Sequence, residues 1–283
     1  MTSPLPADLT AGIEIASATL LSGGDVARAF RLDTTSGPLF LKWHPDPSPG
    51  LFEREAAGLR ALRAAGAARV PEVVRESPAG LVLEWIEPGP RSAGTEREFG
   101  AELAALHRTT HDTFGAVDGA PAGFLGSQPV DLTPTSTWVE LFFHRRVMPL
   151  TETAIASGRL DAAARDLVDR LAPRAAELCG PAEPPALVHG DLWAGNRLID
   201  AHGRSWLIDP AAHWGHRELD LAMMQLFGGF GDCVFAAYDE AFPLSDGWRD
   251  RVPWYQLPPL LVHAVKFGGS YGAAALAALR RYA

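Results

Sequence analysis

The sequence predicts an α+β fold in two lobes, a small antiparallel β lobe carrying one helix and a larger, mainly helical lobe. Three observations predict it. The first third alternates short apolar runs with Gly- and Pro-rich turns, the pattern of strands. One stretch inside that third has helical spacing instead. Beyond Glu87-Pro88-Gly89-Pro90, which continues neither strand nor helix, alanines and leucines recur in helical register almost to the end. The boundary therefore falls at that segment, with residues 1–87 the β-rich lobe and 88–283 the helical one. Such a layout places a cleft at the hinge.

Element by element, residues 13–21 read as a strand, Ser22-Gly23-Gly24-Asp25 as a turn and 26–32 as a returning strand. A second turn leads into a third strand over 38–43. Three prolines in 44–50 enforce a loop. The helix over 51–65 places Leu51, Glu55, Leu59 and Leu62 on one face and stops at Gly66. Apolar runs at 70–74 and 81–86 complete the small lobe. Helices are expected over 95–108, 137–157, 160–179, 218–227, 234–242, 254–267 and 273–282. The Pro- and Gly-rich stretch 115–134 reads as an ordered surface loop, and 197–208 as a β hairpin.

Composition narrows the chemistry. With 34 acidic and 25 basic residues the net charge is −9, the wrong sign for a general nucleic-acid binder or an anionic-membrane binder. A 47% hydrophobic content supports a sizeable core. Cys179 and Cys233 alone exclude a disulfide framework and a cysteine-rich zinc site. No secretory pattern and no apolar run of roughly 18–20 residues occurs, so a cytoplasmic location is expected.

The chemistry concentrates in His189-Gly190-Asp191-Leu192-Trp193-Ala194-Gly195-Asn196 and the hairpin that follows. If 201–204 form the hairpin loop, Asn196 falls opposite Asp209, where Cβ atoms lie roughly 4.5–5.5 Å apart. An amide oxygen and a carboxylate so placed suit magnesium, which completes its shell with water and phosphate. Asp191 precedes Asn196 by five residues, the spacing of a phosphoryl-transfer loop in which the Asp accepts a hydroxyl proton and the Asn binds metal. Singly, each is an ordinary turn former; the three together point to a site.

The small lobe adds a second signal. Glu55 sits on the apolar stripe of its helix, where a carboxylate needs a partner, and Lys42, the lobe's only lysine, ends the third strand. A strand-three Lys paired with a helix Glu holds α- and β-phosphates in kinases. The Gly23-Gly24 turn would lie over the phosphates and donate backbone N–H groups, and the backbone from Glu84 to Ile86 would meet adenine. No G-x-x-x-x-G-K-[ST] is present, which excludes a P-loop NTPase.

These residues resemble the fructosamine-3-kinase (ketosamine kinase) family, a branch of the aminoglycoside-phosphotransferase and choline-kinase-like proteins with a protein-kinase-like fold. The resemblance runs from Gly37-Pro38-Leu39-Phe40-Leu41-Lys42 and Phe52-Glu53-Arg54-Glu55 through the H-G-D-L-W motif at 189–193 and Asp209-Pro210-Ala211. It closes with Gly215-His216-Arg217-Glu218-Leu219-Asp220 and Leu226-Phe227-Gly228-Gly229-Phe230. It implies ATP-dependent phosphorylation of the C3 hydroxyl of a ketoamine, free or protein-bound, with Mg2+. Asp191 would be the base, Asn196 and Asp209 the metal ligands, and Lys42 the phosphate clamp held by Glu55. Trp193 and His216 would lie toward the substrate end, Trp193 either stacking on the acceptor or packing. His189 and Asp220 would brace the catalytic loop.

Gly190 stands where protein kinases have Arg, and no A-P-E follows Asp209, so gating by activation-loop phosphorylation is not expected. The nearest rival is a kinase of the same fold acting on an aminoglycoside, a choline-like alcohol or a homoserine-like acceptor. A silent nucleotide-binding module would not need all five key side chains. A metal-dependent phosphoesterase built on His189 and Asp191 leaves Lys42 and Glu55 without a purpose.

Overall fold

The computed structural model describes residues 5–21 and 27–283; the Gly23-Gly24 turn lies outside them. After a short helix α1 (Ala7–Thr10), strands β1 (Ile15–Leu21), β2 (Arg28–Thr34) and β3 (Gly37–Trp43) form a meander. Helix α2 (Leu51–Ala65) follows, then β4 (Val73–Ser77) and β5 (Gly80–Glu84). The sheet is antiparallel in the order β1-β2-β3-β5-β4. Alternation along β3 decides what faces where. Leu41 joins Leu9, Phe30, Leu32 and Val82 in a small core on one face. Phe40 and Lys42 therefore look the other way, toward α2, where Phe52, Leu59 and Leu62 pack on Leu81 and Leu83. Lys42 thus reaches the interior from a strand that is otherwise apolar.

The second lobe begins with α3 (Thr95–His107) and β6 (Gly115–Ala116). The stretch expected to be a loop contains a further hairpin, β7 (Ala122–Leu125) and β8 (Gln128–Asp131). The expected helix over 137–157 is present, but it opens as a π-helical segment, Glu140–Val147, before continuing as α4 (Met148–Ala156). Helix α5 (Ala163–Leu171) is separated from α6 (Ala175–Leu178) by a 3-10 turn containing Pro173, which cannot supply a helical N–H. Strands β9 (Ala186–Val188), β10 (Arg197–Ile199), β11 (Ser205–Leu207) and β12 (His213–Gly215) precede α7 (Glu218–Leu226) and α8 (Asp232–Ala241). The chain ends with α9 (Trp248–Tyr255), α10 (Leu257–Phe267) and α11 (Ser270–Tyr282). Strand β12 lies between β6 and β9 in a three-stranded sheet. One core joins the lobes: Leu81 and Leu83 belong to the same cluster as Phe99, Leu103, Leu192 and Leu221.

The β10–β11 hairpin departs from its expected register by one residue. Ile199 pairs with Ser205, and the Asp200 N–H donates to Arg204 O at 2.9 Å, so the loop has three residues rather than four. Gly203 closes it at φ 78°, the left-handed conformation that a three-residue hairpin needs at this place. Asn196 consequently faces Ile208, whose N–H donates to Asn196 O at 3.0 Å, and not Asp209. Asp209 lies one residue past the ladder at φ 52°, the one non-glycine with positive φ among the described residues. A left-handed turn, rather than cross-strand pairing, carries its carboxylate into the cleft.

Candidate active site

The cleft between the lobes holds a cavity of about 720 Å³ lined by Lys42, Glu55, Asp191, Trp193, Asn196 and Asp209 among others. Lys42 Nζ lies 2.9 Å from Glu55 Oε1 and 2.9 Å from Asp209 Oδ1, so one ammonium ties strand, helix and the far lobe together. Burial works against its charge, yet Asp209 and Glu55 outweigh it and raise its pKa. Burial pushes Glu55 above the usual carboxylate range, with Lys42 pulling it back.

The catalytic loop is held from behind. Asp220, fully buried at the start of α7, accepts from His189 N at 2.7 Å and Gly190 N at 2.9 Å, while His107 Nε2 lies at 3.1 Å. His189 Nε2 donates to Ile208 O at 2.9 Å, so its Nδ1 is the acceptor for Asp191 N at 3.3 Å. Burial lowers the His189 pKa and keeps the ring neutral in this tautomer. Gly190 takes φ 82°, and a Cβ there would stand 2.2 Å from Ala211 O. Both conformation and space require glycine where protein kinases carry Arg.

Asp191 is pushed up to about 7, first by burial and then by the nearby charge of Asp209. Asn196 Nδ2 donates to Asp191 O at 2.8 Å and to Asp191 Oδ2 at 3.2 Å. With its nitrogen committed, the amide offers its oxygen Oδ1 to a cation. Asp209 is 45% exposed at the side chain and gives one oxygen to Lys42. Among the described residues no group of three or more His, Cys, Asp or Glu is arranged to hold a metal. Two oxygen ligands of this type fit Mg2+, which prefers few protein ligands and fills its shell with water and phosphate.

The other expected site residues are distributed as follows. Trp193 is 38% exposed, lines the cavity and meets Phe227 edge-on at 6.1 Å. His216, expected toward the substrate, is 2% exposed and stands behind the cavity wall. Its ring stacks on Tyr255 at 5.4 Å and its Nδ1 accepts from Glu218 N at the start of α7, so it braces that helix start instead. Glu84 and Ile86 are not part of the cavity lining. The Glu84 N–H donates to Glu72 O and its Oε2 accepts from Glu72 N, which turns the residue toward β4, and Ile86 is buried.

The sequence reading missed one wall of the cavity. The β7–β8 hairpin brings Phe124 to Ser127 to the edge of the opening, and α10 contributes His263, Lys266 and Phe267. Lys266 carried a signal: it and Lys42 are the only lysines among 25 basic residues, and both line this cavity. Arg146 carried another, since it occupies the apolar stripe of its helix with Phe142 and Phe143, as Glu55 does in α2.

Residues 3–283 match the fructosamine kinase family. The chain belongs to that family. A protein named as a ketoamine kinase from Enterococcus faecium is 39% identical over 88% of this chain and 89% of its own length. The protein-ribulosamine 3-kinase of Arabidopsis thaliana is 30% identical over 93% of this chain and 81% of its own. A crystal structure of a Thermobifida fusca protein assigned as a fructosamine-3-kinase superposes with a TM-score of 0.88 at 39% identity, covering 97% of this chain and 95% of that one. Less similar solved structures share the fold alone, among them the choline kinase LicA in complex with AMP, at 18% identity and a TM-score of 0.61 over 97% of this chain and 95% of that one. These likenesses make the fold protein-kinase-like and the family a phosphotransferase family.

Proposed function

We propose that this fructosamine kinase family member transfers the γ-phosphoryl group of ATP to the C3 hydroxyl of a ketosamine, a fructosyl or ribulosyl amine. The observation that carries the reading is the joining of Lys42, Glu55 and Asp209 across the lobes, beside Asp191 and Asn196 in one cavity. Phosphoryl transfer has a loose transition state, so positioning and charge supply most of the acceleration.

Asp191 is placed to accept the proton of the acceptor hydroxyl, and Asn196 Nδ2 and the braced loop hold its carboxylate in orientation. Lys42 exchanges its contact with Asp209 for phosphate oxygens while Glu55 keeps it aimed. Asn196 Oδ1 and Asp209 would hold Mg2+, which when bound neutralises charge on the phosphates. We assign nucleotide binding to the cleft under the small lobe and the acceptor to the wall formed by Trp193 and α10, with the lobe boundary at 87/88. No helix among the described residues is long and apolar enough to cross a membrane; we assign the protein to the cytoplasm.

The test is ATP consumption with fructosyl-lysine and ribulosyl-lysine beside choline and an aminoglycoside. The reading expects turnover with at least one ketosamine and none with the other two. Turnover of choline or the aminoglycoside alone would replace it with the rival acceptor class.

A further inference from the structure

Arg146 sits on the π-helical segment, a type of irregularity that recurs at functional sites. It is 1% exposed, yet it lines the cavity beside Leu125, Leu132, Leu219, Met223 and Tyr255. A guanidinium has five N–H donors and no acceptor. Among the described residues its single hydrogen-bond acceptor is His213 Nε2, at 3.3 Å from Nη1 and 3.4 Å from Nη2. His213 Nδ1 donates to Ala211 O at 2.8 Å, so Nε2 presents one lone pair to both groups. Nε of Arg146 is buried with no partner, and no carboxylate lies within ion-pair distance among the described residues. Burial alone drives the Arg146 pKa down, to about 10. It remains charged at neutral pH, and a buried charge without a counter-charge is costly unless something satisfies it.

The exposed part of the same cavity's lining differs. Trp193, Phe227 and Phe267 stand 38%, 39% and 48% exposed there, with Lys266 in the same rim. A ketosamine has two unlike ends: a chain of hydroxyls, and a secondary amine that is protonated at neutral pH. In the apolar floor the Arg146 charge acts with little screening and repels that ammonium. At the rim, Lys266 Nζ lies 4.9 Å from the centroid of the Phe267 ring, and the exposed rings of Trp193 and Phe227 offer faces that attract a cation.

We propose that Arg146 recognises the acceptor from the cavity floor, donating hydrogen bonds to sugar hydroxyls beyond the reacting carbon, so that the ketosamine binds sugar-first with its amine at the aromatic rim. The inference rests on the ketosamine kinase reading and names the part of the substrate that its inner wall reads. The planar fork of Arg146 suits a vicinal pair of hydroxyls.

The test is a chemical cycle using one amine, its fructosyl ketoamine and the 4-deoxy analogue, each assayed with wild type, Arg146→Met and Arg146→Lys. Wild type should lose roughly tenfold or more in kcat/KM on removal of the C4 hydroxyl, the scale of a hydrogen bond to a charged group. Arg146→Met should raise the KM for the parent ketoamine by a similar factor, treat the two compounds alike and leave the KM for ATP unchanged. Its melting temperature should stay level or rise, because an uncompensated buried charge has been replaced by an apolar chain of similar length. Arg146→Lys, which keeps the charge and loses the fork, should fall between. Should Arg146→Met not fold, the wild-type pair still decides: equal kcat/KM for the two compounds overturns the proposal. Equal losses in wild type and variants, or a lower melting point with both KM values raised together, overturns it as well. A wild type that phosphorylates neither compound overturns the kinase reading and this proposal together, whereas an active wild type without the coupling overturns only the role of Arg146.

Discussion

Lys42 shows how much one side chain carries. It is 12% exposed at the side chain and meets two carboxylates, one from each lobe. In Lys42→Met the phosphates lose a charged donor, and ATP affinity should fall about tenfold to a hundredfold, since such bonds contribute about 1.5–3 kcal/mol. Isothermal calorimetry with Mg·ATP reads this directly. The same variant carries a pH signature. Burial already raises the Glu55 pKa, and removing Lys42 takes away the charge that pulled it down. An acid whose folded pKa is raised binds more protons folded than unfolded, so its contribution to stability is lost as pH rises above the unfolded value of about 4.3. Wild type and variant lose that contribution in parallel up to about pH 7, the folded value in wild type, so the melting temperature of Lys42→Met relative to wild type should hold from pH 5 to pH 7 and fall above it. A difference independent of pH would mean that Glu55 is not held in the protonated range.

At the scale of the element, the β10–β11 hairpin sets the spacing of Asn196 and Asp209, and Asp200 sets the hairpin. Its side chain accepts from His202 N and Arg204 N at 2.9 Å, Arg204 Nε at 2.8 Å and Trp206 Nε1 at 2.9 Å. Burial opposes the Asp200 charge, yet these bonds outweigh it and hold the pKa well below the usual carboxylate range. Asp200→Ala should cost about 1–3 kcal/mol of stability at pH 7. A depressed pKa gives stability that is present above the unfolded pKa of about 3.9 and lost as pH falls through the folded value. The gap between wild type and variant should thus hold from pH 7 to pH 5 and narrow only in strong acid. Thermal unfolding across that range checks it, and a gap that closes by pH 5 would contradict the assignment.

This hairpin also shows where sequence reading ends. The turn residues and apolar flanks locate the two strands, but choosing a three- or four-residue loop depends on whether Gly203 ends the turn in the left-handed region, which spacing does not reveal. The error moved Asn196 by one partner. Asp209 still reaches the cleft because its own backbone turns left-handed, a conformation tolerated by Asp more than by most residues.

Across the whole molecule, the lobes meet through a shared apolar core and a few polar ties. Arg54, next to Glu55 on α2, holds both oxygens of Asp118 at 2.6 Å, and Asp118 leads into the β7–β8 hairpin at the cavity edge. Both side chains are partly exposed, 25% and 38%, and such pairs contribute about 0–1 kcal/mol. Asp118→Asn should accordingly leave global unfolding almost unchanged while amide hydrogen exchange in residues 123–126 speeds up. Unaltered exchange there would show that the hairpin is anchored by its packing alone.

The two-lobe layout, the α2 helix and the pair of Lys42 with Glu55 were legible because each follows from periodicity or from a charge on an apolar stripe. The cavity wall built by β7–β8 and α10 was not, since it depends on segments far apart in sequence packing around Asp191. His216 was misplaced for the same reason: a residue near a motif can face either side of the wall, and the ring of Tyr255 settles which.

Single-turnover quenched-flow with a ketosamine and Mg·ATP, comparing wild type with Asp191→Asn, addresses the central claim most directly. The account predicts a phosphoryl-transfer rate roughly 10²–10⁴-fold lower in the variant, the contribution of a positioned base, with Mg·ATP affinity retained. A variant that transfers at the wild-type rate would contradict it.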